Sequence, residues 1–187
     1  MYLIWELLIV ASVLHTGGCR LLNNYDQHVE FKCDRQNQFV SHVSSIHSNP
    51  HEDRVFSMKC RDFPVKVAGL TPTCYWTGYI NDWDQVMIYQ CPGNSYIGGF
   101  QSDYSNPHKD RRWKAKCCHM KGIYLAGCHY TPWTNNYDGK QNFDAETNRV
   151  TKGIASVHLN GIEDRIYKFT TCEVLRKKGK FAVVGKE

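Results

Sequence analysis

In the segment RRWKAKC, Trp113, Ala115 and Cys117 alternate with Arg112, Lys114 and Lys116. That is the period of two of a half-buried strand, not the period of a helix. Phe56, Met58 and Cys60 alternate with Val55, Ser57 and Lys59 in the same way. Turn signals separate such runs: PGN at 92–94, SNP at 48–50 and 105–107, and NG at 160–161. Short stretches rich in Val, Ile, Phe and Tyr between these marks read as antiparallel strands. No part of the body keeps a long helical period with caps, so the pattern predicts an all-β chain.

The strands fall into repeats, which decide the fold when they exist. NPHEDRVFSMKC at 49–60 recurs as NPHKDRRWKAKC at 106–117 and, diverged, as NGIEDRIYKFTTC at 160–172. Ahead of each stands N-x-aromatic-D: NNYD at 23–26, NDWD at 81–84 and NNYD at 135–138. YDQHVEFKC at 25–33 matches WDQVMIYQC at 83–91, and counting back from each Asp-Arg pair aligns Ser45, Ser102 and Ser156. The Asp-Arg pairs lie 57 and 54 residues apart (110 − 53 and 164 − 110). The expectation is a single disulfide-stapled domain over 19–175, made of three pseudo-symmetric repeats of short antiparallel strands at about 23–70, 71–124 and 125–175. Three or four strands are expected per repeat.

Residues 1–18, MYLIWELLIVASVLHTGG, are apolar and end in small residues, as in a secretory signal peptide. They carry no Lys or Arg ahead of the apolar run and hold Glu6 within it. No other segment is long and apolar enough to cross a bilayer, and no membrane insertion of the mature chain is expected. Export suits the nine cysteines, because disulfides persist outside the cell. Without Cys19, at the cleavage region, eight remain; four bridges then have 105 connectivities, among which spacing does not choose. Adjacent Cys117 and Cys118 point to opposite faces of a strand and should take separate partners. Cys172 lies one place later than Cys60 and Cys117 relative to Asp-Arg, in the phase of Cys118. No CxxC pair is present, so neither a zinc ribbon nor a thioredoxin-like site is expected.

The net charge of +5 favours anionic partners, which outside the cell are sulfated glycosaminoglycans and acidic proteoglycans rather than nucleic acid. From residue 173 onward Arg176, Lys177, Lys178, Lys180 and Lys186 oppose Glu173 and Glu187, a local +3. The basic tail at 176–187 is therefore a candidate polyanion site, although such runs are more often simply solvated.

Asp-Arg-x-aromatic repeated three times, with DRRWKAKCC closing the middle copy, resembles the dermatopontin family, and GGFQSDYSNPHKDRRWKAKCC is similar to that family's middle repeat. The resemblance covers about 23–172. It implies the bridges Cys33 with Cys60, Cys74 with Cys117, Cys91 with Cys118, and Cys128 with Cys172. It also implies a secreted, non-enzymatic extracellular matrix and adhesion protein. The implied partners are proteoglycans or glycosaminoglycans, collagen-associated matrix proteins and cell-surface glycans. Some invertebrate members are similar to lectins and agglutinate cells, so the resemblance also implies, as the alternative, a lectin for neutral or acidic sugars. This chain lacks the two cysteines of the further vertebrate bridge and the Tyr- and Asp-rich N-terminal segment, and so looks more like the invertebrate members.

The candidate ligand residues are Asn49, His51, Asp53, Arg54, Asn106, His108, Asp110, Arg111, Asp164 and Arg165, with Arg176, Lys177, Lys178 and Lys180 of the tail. Arg offers a fork for sulfate or carboxylate, and Asp accepts sugar hydroxyls. The structural alternative is favoured for the Asp-Arg pairs: Arg111 is in phase with Trp113, and an Arg stacked on an aromatic and paired to a carboxylate simply fixes a fold. Trp76, Tyr79, Trp83, Trp133 and Tyr137 suit sugar stacking, with a core role favoured because large aromatics dominate burial. His51 and His108 correspond to Ile162, and His47 and His158 to Tyr104, so no histidine position recurs in all three repeats. Without HExxH or G-x-S-x-G, neither metal, cofactor nor catalytic set is expected, and a small basic hydrolase is only a remote alternative.

Overall fold

The computed structural model describes residues 20–35, 37–65 and 69–176. The leader, Cys19 and the tail residues Lys177, Lys178 and Lys180 lie outside them. Among the described residues there are eleven strands and no helix: β1 (Val29–Lys32), β2 (Gln38–Ser48), β3 (Asp53–Asp62), β4 (Thr73–Trp76), β5 (Met87–Gln90), β6 (Ser95–Ser105), β7 (Asp110–His119), β8 (Ile123–Tyr130), β9 (Gln141–Asp144), β10 (Arg149–Leu159) and β11 (Asp164–Arg176).

Each repeat contributes one long hairpin, β2/β3, β6/β7 or β10/β11, and each hairpin accepts a short strand from a neighbouring repeat. The sheets run β3-β2-β9, β1-β6-β7-β4 and β5-β10-β11-β8. Thus β1 of the first repeat joins the second, β5 of the second joins the third, and β9 of the third returns to the first. This cyclic exchange closes the molecule, and the three hairpins keep one register: Ser45 faces Phe56, Ser102 faces Trp113, and Ser156 faces Tyr167.

A β-bulge recurs where each incoming strand ends, at Val40/His42, Ile97/Gly99 and Thr151/Gly153. The extra residue turns its carbonyl toward the visitor, so Gly98 accepts from the Cys33 N–H, Lys152 from Cys91 and Ser41 from Ala145. At Gly153 an added Cβ would lie 2.3 Å from the Tyr89 carbonyl oxygen, which is why the approach of β5 requires glycine there.

Phe56, Trp113 and Tyr167, the aromatics of the three Asp-Arg-x-aromatic signatures, meet edge-to-face at the centre. Their ring centroids are 5.0, 6.2 and 6.4 Å apart. Phe39, Phe100, Phe143 and Phe169 complete a core with essentially no exposure.

Four disulfides clamp the rims: Cys33 with Cys60, Cys74 with Cys118, Cys91 with Cys117, and Cys128 with Cys172. Two of these correct the pairing implied by the family resemblance, Cys74 with Cys117 and Cys91 with Cys118. Cys74 lies directly across the β4/β7 ladder from Cys118, with Cα atoms 4.1 Å apart, on the face opposite to Cys117. Cys117 points into the core and meets Cys91, at the end of the strand that leaves for the next sheet. Cys117 and Cys118 do take separate partners, in the arrangement that repeats: the 44-residue separation of Cys74 and Cys118 equals that of Cys128 and Cys172.

Candidate functional site

The three Asp-Arg pairs form one closed ring, and no Arg bonds the Asp beside it. Arg111 donates Nε and Nη2 to the two carboxylate oxygens of Asp53, both at 2.6 Å. Arg54 does the same to Asp164, both at 2.6 Å, and Arg165 to Asp110, with Nη2 at 2.7 Å. Each guanidinium thus reaches into an adjacent repeat, where its Nη2 also donates to a carbonyl, that of Gln27, Gln85 or Gly139. The Arg111 guanidinium lies 5.5 Å from the Tyr104 ring across its own hairpin and 5.7 Å from the Phe56 ring of that repeat, whereas its phase along β7 points to Trp113.

The N-x-aromatic-D signature holds the ring from outside. The Asp26, Asp84 and Asp138 N–H groups donate to Asp53, Asp110 and Asp164 at 2.8–2.9 Å. All three donors have positive φ, near 60°, a conformation these bonds help to hold. Asn23, Asn81 and Asn135 cross-link to the following hairpin, donating to the carbonyls of Arg54, Arg111 and Arg165 and accepting from the N–H groups of Phe56, Trp113 and Tyr167.

All six Asp and Arg side chains are buried, with at most 5% exposure per residue. Their carboxylate oxygens and the Nε/Nη2 forks are occupied, Arg111 Nη1 being the one ring nitrogen buried without a hydrogen bond, and the cleft above them admits little more than a water. Asp53, Arg54, Asp110, Arg111, Asp164 and Arg165 therefore leave the set of candidate ligand contacts, because a sugar or sulfate reaches none of them without opening the ring.

Two buried histidines flank the ring. His47 Nδ1 is 3.2 Å from Asp164 and its Nε2 is 3.4 Å from Asp138; His158 Nδ1 lies 3.7 Å from Asp84. His47, Asp138 and Asp164, like Asp84, Asp110 and His158, bring possible metal-ligand atoms within 4.8 Å of one another. In each trio the ring carboxylate already holds a cation, Arg54 on Asp164 and Arg165 on Asp110. Burial would push the Asp164 carboxyl up, but contact with His47, the Arg54 guanidinium and the Asp138 N–H outweigh it and hold it at about 2.

A pH dependence follows. Because the folded value lies below the ordinary 3.8, this group's stabilisation is complete above pH 4 and is lost as pH falls toward 2. The contribution is roughly 2 kcal/mol. Urea midpoints of wild type and Asp164→Asn at stepped pH should converge as pH falls from 5 to 2; a constant gap would refute it.

The exposed polar and aromatic groups lie elsewhere. Asn49, His51, Asn106 and His108 are exposed on the hairpin turns. His51 stacks on Tyr25 at 4.4 Å, and His108 stacks on Trp83 at 5.4 Å. The core role favoured for five aromatics is corrected: Tyr79 and Trp133 are 42% and 44% exposed, and Trp76, Trp83 and Tyr137 are half-buried. On the outer face of β7, Arg112 sits over Tyr79 at 3.9 Å and over Trp83 at 4.5 Å, and Lys114 caps Tyr79 at 4.5 Å. Lys116 continues the row. Asp103 accepts from Tyr79 at 2.6 Å and lies 2.7 Å from His28. The outward half of RRWKAKC was visible as a polar period, but the aromatics that back it come from another segment.

Three strand-exchanging repeats closed by inter-repeat ion pairs and four disulfides define a pseudo-threefold, stapled all-β domain. The family model described as Dermatopontin matches residues 22–176, and the chain belongs to that family. The chain is 35% identical to the hemagglutinin/amebocyte aggregation factor of Limulus polyphemus, over 89% of this chain and 94% of that one. It is 32% identical to dermatopontin of Biomphalaria glabrata, over 81% of this chain and 99% of the relative. With human dermatopontin the identity is 28%, over 84% and 79% respectively. No solved structure matches the chain.

Proposed function

We propose that this chain is a secreted, non-enzymatic extracellular matrix and adhesion protein that binds sulfated polysaccharide or proteoglycan chains on the outer face of its second repeat. The row of Arg112, Lys114 and Lys116 carries the reading. Alternate residues of a strand stand about 7 Å apart on one face, so the row offers evenly spaced cations to a linear polyanion. Tyr79 and Trp83 hold two of these cations at their rings and supply flat apolar area beside them. Arg176 leaves the end of β11, and with Lys177, Lys178 and Lys180 the tail adds positive charge.

Heparin chromatography over a salt gradient tests this. Wild type is expected to be retained, and Arg112→Gln with Lys114→Gln to elute at clearly lower salt, because the attraction is screened. Neutralising the four tail residues measures their share. Unchanged retention in both variants would refute the polyanion reading.

The second reading is a lectin for neutral or acidic sugars. The Tyr25/His51 and Trp83/His108 stacks, each an exposed histidine on a half-buried ring, favour it, as does the name of the Limulus relative, a hemagglutinin. A glycan array with competition by simple sugars at several salt concentrations separates the two: binding confined to sulfated chains rejects the lectin.

A further inference from the structure

The first sheet, β3-β2-β9, has three strands, whereas the second and third have four. In those two, the fourth strand lies on the outer edge of the long hairpin: β4 pairs with β7, and β8 with β11. Among the described residues no strand pairs with the equivalent edge of β3. Up to that edge the three repeats are built alike, because the N–H of Leu22, Ile80 or Thr134 donates to the carbonyl of Phe56, Trp113 or Tyr167. Every second residue of an antiparallel strand turns its N–H and C=O to the same side. Met58 and Cys60 therefore direct theirs outward, as Ala115 does where it bonds Thr77. Beside this edge runs a groove of about 600 Å³ between β3 and β1, with apolar walls of Leu21, Phe31 and Met58. In the second repeat β4 takes the corresponding place, with Tyr75 against Tyr89, the residue that matches Phe31.

We infer that the outer edge of β3 is a docking site for an extended peptide segment of another protein, added as the fourth strand of the first sheet and carrying two adjacent aromatic residues followed by an acidic one. The sister sheets set the form and register of this guest. Lys116 and Thr170, which match Lys59, pair with Trp76 and Tyr130; Cys117 and Thr171, which match Cys60, pair with Tyr75 and His129. A ring opposite Cys60 fills the groove against Phe31, and a ring opposite Lys59 meets its ammonium. Charge sets the residue that follows. Arg20, Lys32 and Lys59 stand around the groove against Glu30 and Asp34, and Lys32 already answers Glu30 at 4.0 Å. The host chain enters at Arg20, the position of Gly78 in the second repeat, so the guest residue after the rings comes up against this cation. A second copy is a poor occupant. Pairing β3 with β3 about a twofold axis at Lys59 or Cys60 sets Lys59 against Lys59 or Arg61, the like-charge block that edge strands use against self-pairing.

The inference rests on removal of residues 1–18 as a leader, because residues 15–18 hold the sequence position of β4. It does not depend on which glycan is bound.

Fluorescence anisotropy of a labelled peptide tests it. The probe is Pro-Thr-Ser-Tyr-Trp-Glu, a copy of residues 72–77 with Cys74→Ser and Thr77→Glu. It is titrated with the secreted protein, whose N-terminus is read by mass spectrometry. Saturable binding with a dissociation constant of roughly 10–100 µM is expected. Methylating the backbone nitrogen of the probe's tyrosine removes its bond to the Cys60 carbonyl and should weaken binding about tenfold. Lys59→Glu, at an exposed position, should weaken it several-fold, whereas Lys114→Gln, on the outer face of the second sheet, should leave it unchanged. Equal affinity of the methylated probe, or no binding to a chain that begins at residue 19 or 20, overturns the inference. So does a secreted chain that retains residues 15–18, or a dimer that the probe dissociates, because the edge then belongs to the chain itself or to a second copy.

Discussion

Arg111→Ala is expected to lower the free energy of unfolding by about 3–5 kcal/mol, against well under 1 for Arg112→Ala next to it on the outer face. The difference lies in what each substitution leaves behind. Arg111 is 3% exposed and is the bidentate partner of Asp53. Without it a carboxylate stays buried with only the Asp26 N–H to answer it. The ring is cyclic, so Arg54→Ala and Arg165→Ala should cost similar amounts. A double variant, Asp53→Asn with Arg111→Met, should be less destabilised than Arg111→Ala, because no lone charge remains. Denaturant unfolding with the disulfides intact measures all of these, and a loss below 1 kcal/mol for Arg111→Ala would show that the ring does not hold the repeats together.

This prediction also marks what was legible in the sequence. The alternation in RRWKAKC gives the strand and its two faces, and the equal spacing of three Asp-Arg pairs gives the repeats. Phase places Arg111 and Trp113 on the same face, and both are indeed inward. Phase carries no information across the closure of the ring, however. It reports neighbours along one strand, and Asp53 and Phe56 reach Arg111 only because β1 has crossed into the next sheet. The exposure of the aromatics is hidden from the sequence for a related reason. Tyr79 and Trp133 stand outside the strand periods, in the segments leading into N-x-aromatic-D, where no alternation indicates a face. Composition alone points to burial. Tyr104 stands where the other repeats have His47 and His158, so recurrence gives no signal for them, yet the two repeats that keep histidine use it beside a ring carboxylate.

The disulfides give the second large effect, and the repeats themselves contain the reason. Cys33 and Cys91 occupy one position of the repeat, as do Cys60 and Cys117. Cys74 and Cys128 occupy another, as do Cys118 and Cys172. A pairing that respects the symmetry joins Cys91 to Cys117 and Cys74 to Cys118, as observed; the pairing implied by the resemblance gives the middle repeat a pattern the others lack. Removing a matched pair, Cys74→Ser with Cys118→Ser, should cost about 4 kcal/mol by the chain-entropy relation for a 44-residue loop, and should release no new thiol. Cys74→Ser with Cys117→Ser should instead strand Cys91 and Cys118, which point to opposite sides of the sheet and cannot join without moving the strand. Thiol titration in denaturant, with wild type as baseline, should then count two additional free thiols and a larger loss of stability. The reverse outcome, two thiols from the first variant and none from the second, would restore the other connectivity and place Cys118 on the core face of β7.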